Sequence, residues 1–280
     1  MNSRKMKPVN LVLRNIRINV TVNETNHHKC WHAFLTAILA FLLLTNNSLA
    51  TAVLVVEVPG GIVYLSADSL EVEAQTRQAW KSCKIRKTGE MYWAASSNFM
   101  AYGYTGFFVE KIVASIGSSG TVEQKRERFI KAVVTPLQEA ITDSKNRDPA
   151  AYSKFVLSGP IQLQIVFVQR QKSGPAWAFA SFTWQMENGK VVVTPERVYH
   201  AVPTKEKPYS LGALGFYDDA LMYFAMHHGK GGLEPNITEE IQSAMKAQGD
   251  AIPASVGPPY SILRFDRTGV KWINKGMCEQ

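Results

Sequence analysis

The order in which two hydrophobic periodicities follow one another restricts the fold of this chain more than any other feature. TAVLVVEV (51–58) and GIVYLSA (61–67) are short β-branched runs meeting at Pro59-Gly60-Gly61, and SCKIRK and EMYWAAS flank Thr88-Gly89. Apolar runs of that length joined by Gly-containing turns read as two β-hairpins. The period then changes. Phe99, Tyr102, Gly106, Val109, Val113 and Ile116 recur every three or four positions, which predicts a helix beginning near Ser96 or Ser97 and stopping at Gly117. A second helix is expected from Thr121, whose spacing to Gln124 is that of a capping box, toward Ile141, with a kink at Pro136. Strands return in LQIVFVQRQ and AWAFASFTW around the turn KSGP, and in KVVVTPERVYHAV. Two more helices are expected, from about Phe216 to His228 and from Ile237, before YSILRF, the turn DRTG and VKWI close the chain as a hairpin.

Two sets of helices separated by blocks of strand cannot form a parallel βαβ array, which needs strand and helix to alternate one by one. The expectation is an α+β fold: two antiparallel sheets face to face, their outer faces covered by helix pairs, in a four-layer αββα sandwich. At 46% hydrophobic and 19% charged residues, the chain can bury a sizeable core. No repeat, low-complexity linker or charge block interrupts residues 51–280, which are therefore expected to form a single domain.

Residues 1–50 read differently. Basic positions end at Lys29, AFLTAILAFLLL (33–44) is apolar, and TNNSLA follows with Ser48 and Ala50 as small residues at cleavage positions, the three-part form of a secretory signal. The apolar run is shorter than the roughly 20 residues that span a bilayer. Contact with the membrane is expected only in transit, and the mature chain is expected outside the cytoplasm, in the periplasm or secreted. The leader also explains the net charge of +8. Of 31 Lys and Arg, six lie in residues 1–50 with one acid, leaving 25 against 22 in the body. The remaining cations are interspersed with acids, as in EQKRERFIK (123–131), which describes a solvated helix face rather than a phosphate-binding stripe. No nucleic-acid partner is expected.

Cys83 and Cys278 are the cysteines left after residue 50. One disulfide or two separate small core residues are both open readings. Neither has metal-ligand spacing to a histidine. His227 and His228 are placed at a helix C-terminus, a stabilising position for cations, and His200 in RVYHAV reads as structural. GKGG (229–232) lacks the hydroxyl residue and preceding strand of a phosphate loop. No cofactor or metal is expected.

Several motifs occur in a recognisable order: Thr51, Gly60-Gly61, SADS (66–69), Lys84 in CKIRK, WAASS (93–97), GALG (212–215) and VGPPYSILRFDRTGVKW (256–272). Together they resemble the proteasome β-type subunits of the N-terminal nucleophile hydrolases, here as an exported variant, over about Thr51 to Trp272. The resemblance implies the αββα sandwich. It also implies a reaction in which an N-terminal threonine attacks an amide carbonyl with its own α-amine as base. By matching positions, it makes Thr51 the nucleophile, Asp68 the orienting acid, Lys84 the cation and the backbone N–H near Ser96 an oxyanion donor. Ser96 stands where the family has glycine. Asp68 and Lys84 follow Thr51 by 17 and 33 positions, each one more than the family pattern, a difference that a bulge at Pro59 would absorb. Otherwise Ala52 would take the nucleophile position. The family's supporting serine becomes Ala213 or Leu214, and its late Asp and Ser have loose counterparts in Asp250 and Ser255. Substrate contacts would fall near Ala94 and LEVEAQ (70–75), and a ring-like homo-oligomer is implied.

The chemistry suits a chain cut after Ala50. A threonine hydroxyl is a weak nucleophile until a base takes its proton, and a free α-amine, with a pKa near 8, is such a base. The expected function is thus an exported threonine amidohydrolase or peptidase acting on a peptide or small amide. The alternative is a non-catalytic binding or assembly protein of the same fold. It would follow from cleavage after Ala52, which leaves Val53 first.

Overall fold

The computed structural model describes residues 11–13, 16–18, 51–72, 79–97, 100–157, 159–198, 203, 209–215, 217–228 and 237–278. The chain divides into two compact units, 1–46 and 47–280. In the first, strands β1 (Leu11–Leu13) and β2 (Ile16–Ile18) pair antiparallel. The apolar run 33–44, His200, the GKGG stretch and the side chains of His227 and His228 lie outside the described residues. No helix among the described residues is long and apolar enough to cross a membrane.

The second unit is built on two antiparallel five-stranded sheets. One carries β3 (Ala52–Val58), β4 (Ile62–Ala67), β14 (Ser210–Gly215), β15 (Ser261–Phe265) and β16 (Val270–Asn274), in the order β14-β3-β4-β15-β16. The other carries β7 (Arg86–Thr88), β8 (Met91–Ser97), β11 (Ile161–Gln171), β12 (Gly174–Glu187) and β13 (Lys190–Val198), in the order β13-β12-β11-β8-β7. Short pairs β5–β6 (Leu70–Val72, Ala79–Lys81) and β9–β10 (Ala101–Tyr102, Phe107–Phe108) stand outside them.

Strand alternation sorts the apolar residues. Along β3, Val53 and Val55 face a cluster with Leu65, Ala94, Val166, Val168, Trp177 and Leu214, which fills the space between the sheets. Ala52, Leu54 and Val56 point the other way, into a cluster with Ala220, Phe224, Ile241, Ala244 and Met245. Each fully buried Val, Leu or Phe contributes roughly 1.5–3 kcal/mol relative to exposure. The two sheets are also joined by a polar contact, Trp177 Nε1 donating to Glu57 Oε2 at 3.0 Å.

The helical cover is less regular than four layers require. Helix α1 is only Val109–Ser115, because the segment read as helix from Ser96 to Gly117 is occupied by the end of β8 and by the β9–β10 pair. Its three- and four-residue apolar spacing is matched by a strand, a Gly-containing turn and a short helix that all bury toward one cluster. The outer face of the β11 sheet is therefore covered chiefly by one long helix, α2 (Val122–Arg147). Thr121 and Gln124 form the expected capping box at its start, and Pro136 lies within it. Lys125 of α2 is 1% exposed, its Nζ donating to Gln169 Oε1 on β11 at 2.9 Å. Helices α3 (Asp218–His228) and α4 (Ile237–Ala251) pack against the opposite sheet. The expectation of helix-pair layers is corrected accordingly: the architecture is a sandwich of two antiparallel sheets with unequal helical cover.

Candidate functional site

The first hairpin sets where Thr51 and Asp68 stand. Val58 pairs with Ile62 across Pro59-Gly60-Gly61, and the register runs without a shift to Val53 opposite Ala67. The expected bulge at Pro59 is absent. A three-residue turn closes the hairpin because Gly60 and Gly61 adopt φ of +88° and +70°, which a side chain would resist. By the spacing argument this places Ala52, whose N–H Asp68 holds, at the position the resemblance gives the nucleophile, with the hydroxyl-bearing Thr51 one residue before it. The Asp68 backbone N–H donates to the Ala52 carbonyl at 3.1 Å, and its Oδ1 accepts from the Ala52 N–H at 2.8 Å.

Asp68 collects donors. Besides Ala52, its carboxylate accepts from Leu70 N–H at 3.1 Å and Lys84 Nζ at 2.9 and 3.0 Å, with Gly257 N–H at 3.5 Å. Lys84 Nζ also donates to the Leu70 carbonyl. Asp68 is 1% exposed and Lys84 6%. Burial shifts the pair in opposite directions. It pushes the Asp68 carboxyl above the ordinary carboxylate value, against the pull of Lys84 and of the Ala52 and Gly257 N–H groups. It pulls the Lys84 ammonium below the ordinary lysine value, against the attraction of Asp68 and Glu71. Both shifts have one cause: a low-dielectric surrounding disfavours each charged form.

Lys84 sits in the irregular stretch between β6 and β7, and two covalent neighbours hold it. Ile85 is buried between the sheets. Cys83 is disulfide-bonded to Cys278, which resolves the two open readings of these cysteines. Cys278 lies just beyond β16, so the bond ties the lysine-bearing stretch to the edge of the other sheet.

Thr51 is buried at the foot of β3, 9% exposed. Ala52 belongs to the helix-side cluster and Val53 to the inter-sheet cluster, so alternation assigns the Thr51 side chain to the inter-sheet face. Ser96 shares that face through Ala94 two positions earlier on β8. Beyond Trp93 the β7 pairing has ended, leaving that edge of β8 at Ser96 without a strand partner among the described residues.

Gly215 closes this corner. It pairs with Ala52 across β14 and β3, and its N–H donates to Gln164 Oε1 on β11 at 2.9 Å. A Cβ on Gly215 would stand 1.8 Å from the Thr51 carbonyl oxygen and 2.8 Å from Ser96 Oγ, and its φ is +74°. Only glycine lets β14 approach Thr51 so closely.

The structure thus gathers Asp68 and Lys84 in direct contact, with the Thr51–Ala52 peptide beside them and Ser96 across the sheet gap. It does not gather Asp250 or Leu214. Asp250 is exposed on α4, paired with Lys246, and Leu214 is part of the inter-sheet core. Gln164, Gly257 and the Cys83–Cys278 bond carried no functional signal as sequence. Gln164 alternates with apolar residues in LQIVFVQRQ like any strand polar residue, and its inward direction follows from β11 being buried on both faces. Among the described residues there is no cluster of three or more His, Cys, Asp or Glu able to hold a metal.

No family model matches the chain, and no curated protein matches it. Among solved structures it is similar to Anbu (Gly-1) mutant from Hyphomicrobium sp. strain MC1, at 11% identity and TM-score 0.49, covering 81% of this chain and 87% of that one. It is also similar to Anbu, an ancestral β-subunit, from Yersinia bercovieri, at 11% identity and TM-score 0.45, covering 80% and 87%. Likeness at this level does not show membership of a family. The expectation of an exported proteasome β-type protein is corrected on that ground: neither the family nor the export is established by any match.

Proposed function

We propose that the chain, once severed between Ala50 and Thr51, acts as a threonine-type hydrolase of amide bonds. The observation that carries this reading is the buried Lys84–Asp68 pair whose carboxylate also holds the Ala52 N–H. A buried ion pair of this kind is a poor device for stability; its presence at the foot of a hydroxyl residue fits a catalytic role. The freed Thr51 α-amine takes the proton of its own hydroxyl. The alkoxide attacks the substrate carbonyl, and the oxyanion forms within reach of the backbone N–H near Ser96. The tetrahedral intermediate collapses as the amine returns the proton to the departing nitrogen, leaving an ester on Thr51. Water, deprotonated by the same amine, hydrolyses that ester. The Lys84 ammonium disfavours protonation of the nearby amine, which keeps the base available near neutral pH. An export peptidase acting after Ala50 would supply the cut.

Intact mass and N-terminal sequencing of the purified protein come first, followed by reaction with a β-lactone electrophile and peptide mapping of the adduct. Thr as the first residue, with the adduct on Thr51 and none in Thr51→Ala, supports the reading. A chain that starts at Val53, or full labelling of Thr51→Ala, refutes it and leaves the binding or assembly role.

A further inference from the structure

The hydroxyl of Ser96 is buried, 1% exposed as a residue, and has no hydrogen-bond partner among the described residues. Leaving a buried hydroxyl unsatisfied is unfavourable by about 1–3 kcal/mol, and alanine would fill the same place on β8 without that penalty. The hydroxyl is not in an arbitrary position. The point 2.8 Å from Ser96 Oγ, where a Gly215 side chain would begin, is also 1.8 Å from the carbonyl oxygen of Thr51 and 2.9 Å from its carbonyl carbon. Gln164, the cross-strand partner of Ser96, accepts the Gly215 N–H at its Oε1, so three strands hold Ser96 and the Thr51 backbone against the same glycine.

We propose that the Ser96 side-chain hydroxyl is the positioning residue for the Thr51 α-amine, accepting a hydrogen bond from it once the Ala50–Thr51 bond is cut. This rests on the hydrolase reading above and adds to it. An amine with three free substituent positions rotates about its Cα–N bond. A hydrogen bond accepted by Ser96 Oγ fixes one N–H and so directs the lone pair toward the Thr51 hydroxyl, whose proton it must take. The role differs from that of the Ser96 backbone N–H, because a side-chain deletion leaves the backbone donor in place. It also accounts for serine at a position where glycine would serve an oxyanion donor equally well.

The test compares parent, Ser96→Ala and Ser96→Gly, each purified as the processed chain. Adduct formation at Thr51 with a β-lactone is measured from pH 5 to 9 beside thermal melting. Loss of the bond to the amine should lower the melting temperature of both variants by a few degrees, more for glycine than for alanine. Both should label at least roughly tenfold more slowly on the alkaline plateau, the loss expected of a hydrogen bond to a charged or proton-transferring group. Because the hydroxyl stabilises the ammonium, the acid limb should move to lower pH in the variants. A purely structural serine would lower the melting temperature without moving that limb. Parent-like rate and pH profile in Ser96→Ala overturn the assignment while leaving the hydrolase reading intact. Absence of any Thr51 adduct in the parent overturns the reading and the assignment together.

Discussion

Replacing Lys84 by Met removes the cation from a carboxylate whose side chain is fully buried. Asp68 is then left with the Ala52 and Leu70 N–H groups at 2.8 and 3.1 Å and the Gly257 N–H at 3.5 Å. Removing one member of a buried pair costs about 3–5 kcal/mol, which for a domain of this size is a drop in Tm on the order of 10 °C. The deficit should depend on pH with a definite sign. Burial already holds the Asp68 carboxyl above 3.8, and the attraction of Lys84 is the largest force opposing it. Without Lys84 the folded value rises further, so the folded state binds more protons than the unfolded one. Stability of the variant therefore falls as pH climbs from about the unfolded carboxylate value through the raised one. Asp68→Asn/Lys84→Met removes both charges, and its stability should return to within about 1 kcal/mol of the parent or exceed it. Urea unfolding followed by tryptophan fluorescence, with the disulfide oxidised and at several pH values, measures the parent, Lys84→Met, Asp68→Asn and the double variant. Additivity of the single-variant losses to within about 0.5 kcal/mol, or a Lys84→Met deficit that does not change with pH, would refute the account of the pair.

In the parent, Lys84 has a folded pKa below 10.5, so its contribution makes stability rise with pH between that lowered value and 10.5, and this slope should vanish in Asp68→Asn/Lys84→Met. Thr51→Ser should keep part of the β-lactone reactivity and Thr51→Ala none, because the hydroxyl rather than the methyl does the chemistry; equal labelling of both would contradict it. Gly215→Ala places a Cβ against the Thr51 carbonyl, so it should lose stability on the order of 2 kcal/mol and abolish labelling; a parent-like melt would show that the corner is open. Reducing the Cys83–Cys278 bond, which closes a span of 195 residues, should lower stability by roughly 5 kcal/mol on the chain-entropy model. It should also slow labelling by loosening Lys84; unchanged labelling of a folded Cys83→Ala/Cys278→Ala protein would dissociate the bond from the site.

The sequence by itself determined what local chemistry determines. Pro59-Gly60-Gly61 marks a turn because only a few residues accept its backbone angles, and Thr121 with Gln124 starts α2 because the cap is made between neighbours. The β-branched run TAVLVVEV identified a strand, and the order of strand and helix blocks identified packed antiparallel sheets. The motif series drew attention to Thr51, Asp68 and Lys84. Local pattern failed between Ser96 and Gly117, where an apolar spacing of three to four is equally produced by a strand end, a hairpin and a short helix burying toward a common cluster. Tertiary structure alone decided the rest, because it depends on approach between distant strands. That Asp68 bonds Lys84 and Ala52, that Cys83 finds Cys278, and that Gly215 lets β14 close against Thr51 and Ser96 are facts about distant strands packed together. Sequence spacing within any one of them does not contain that distance.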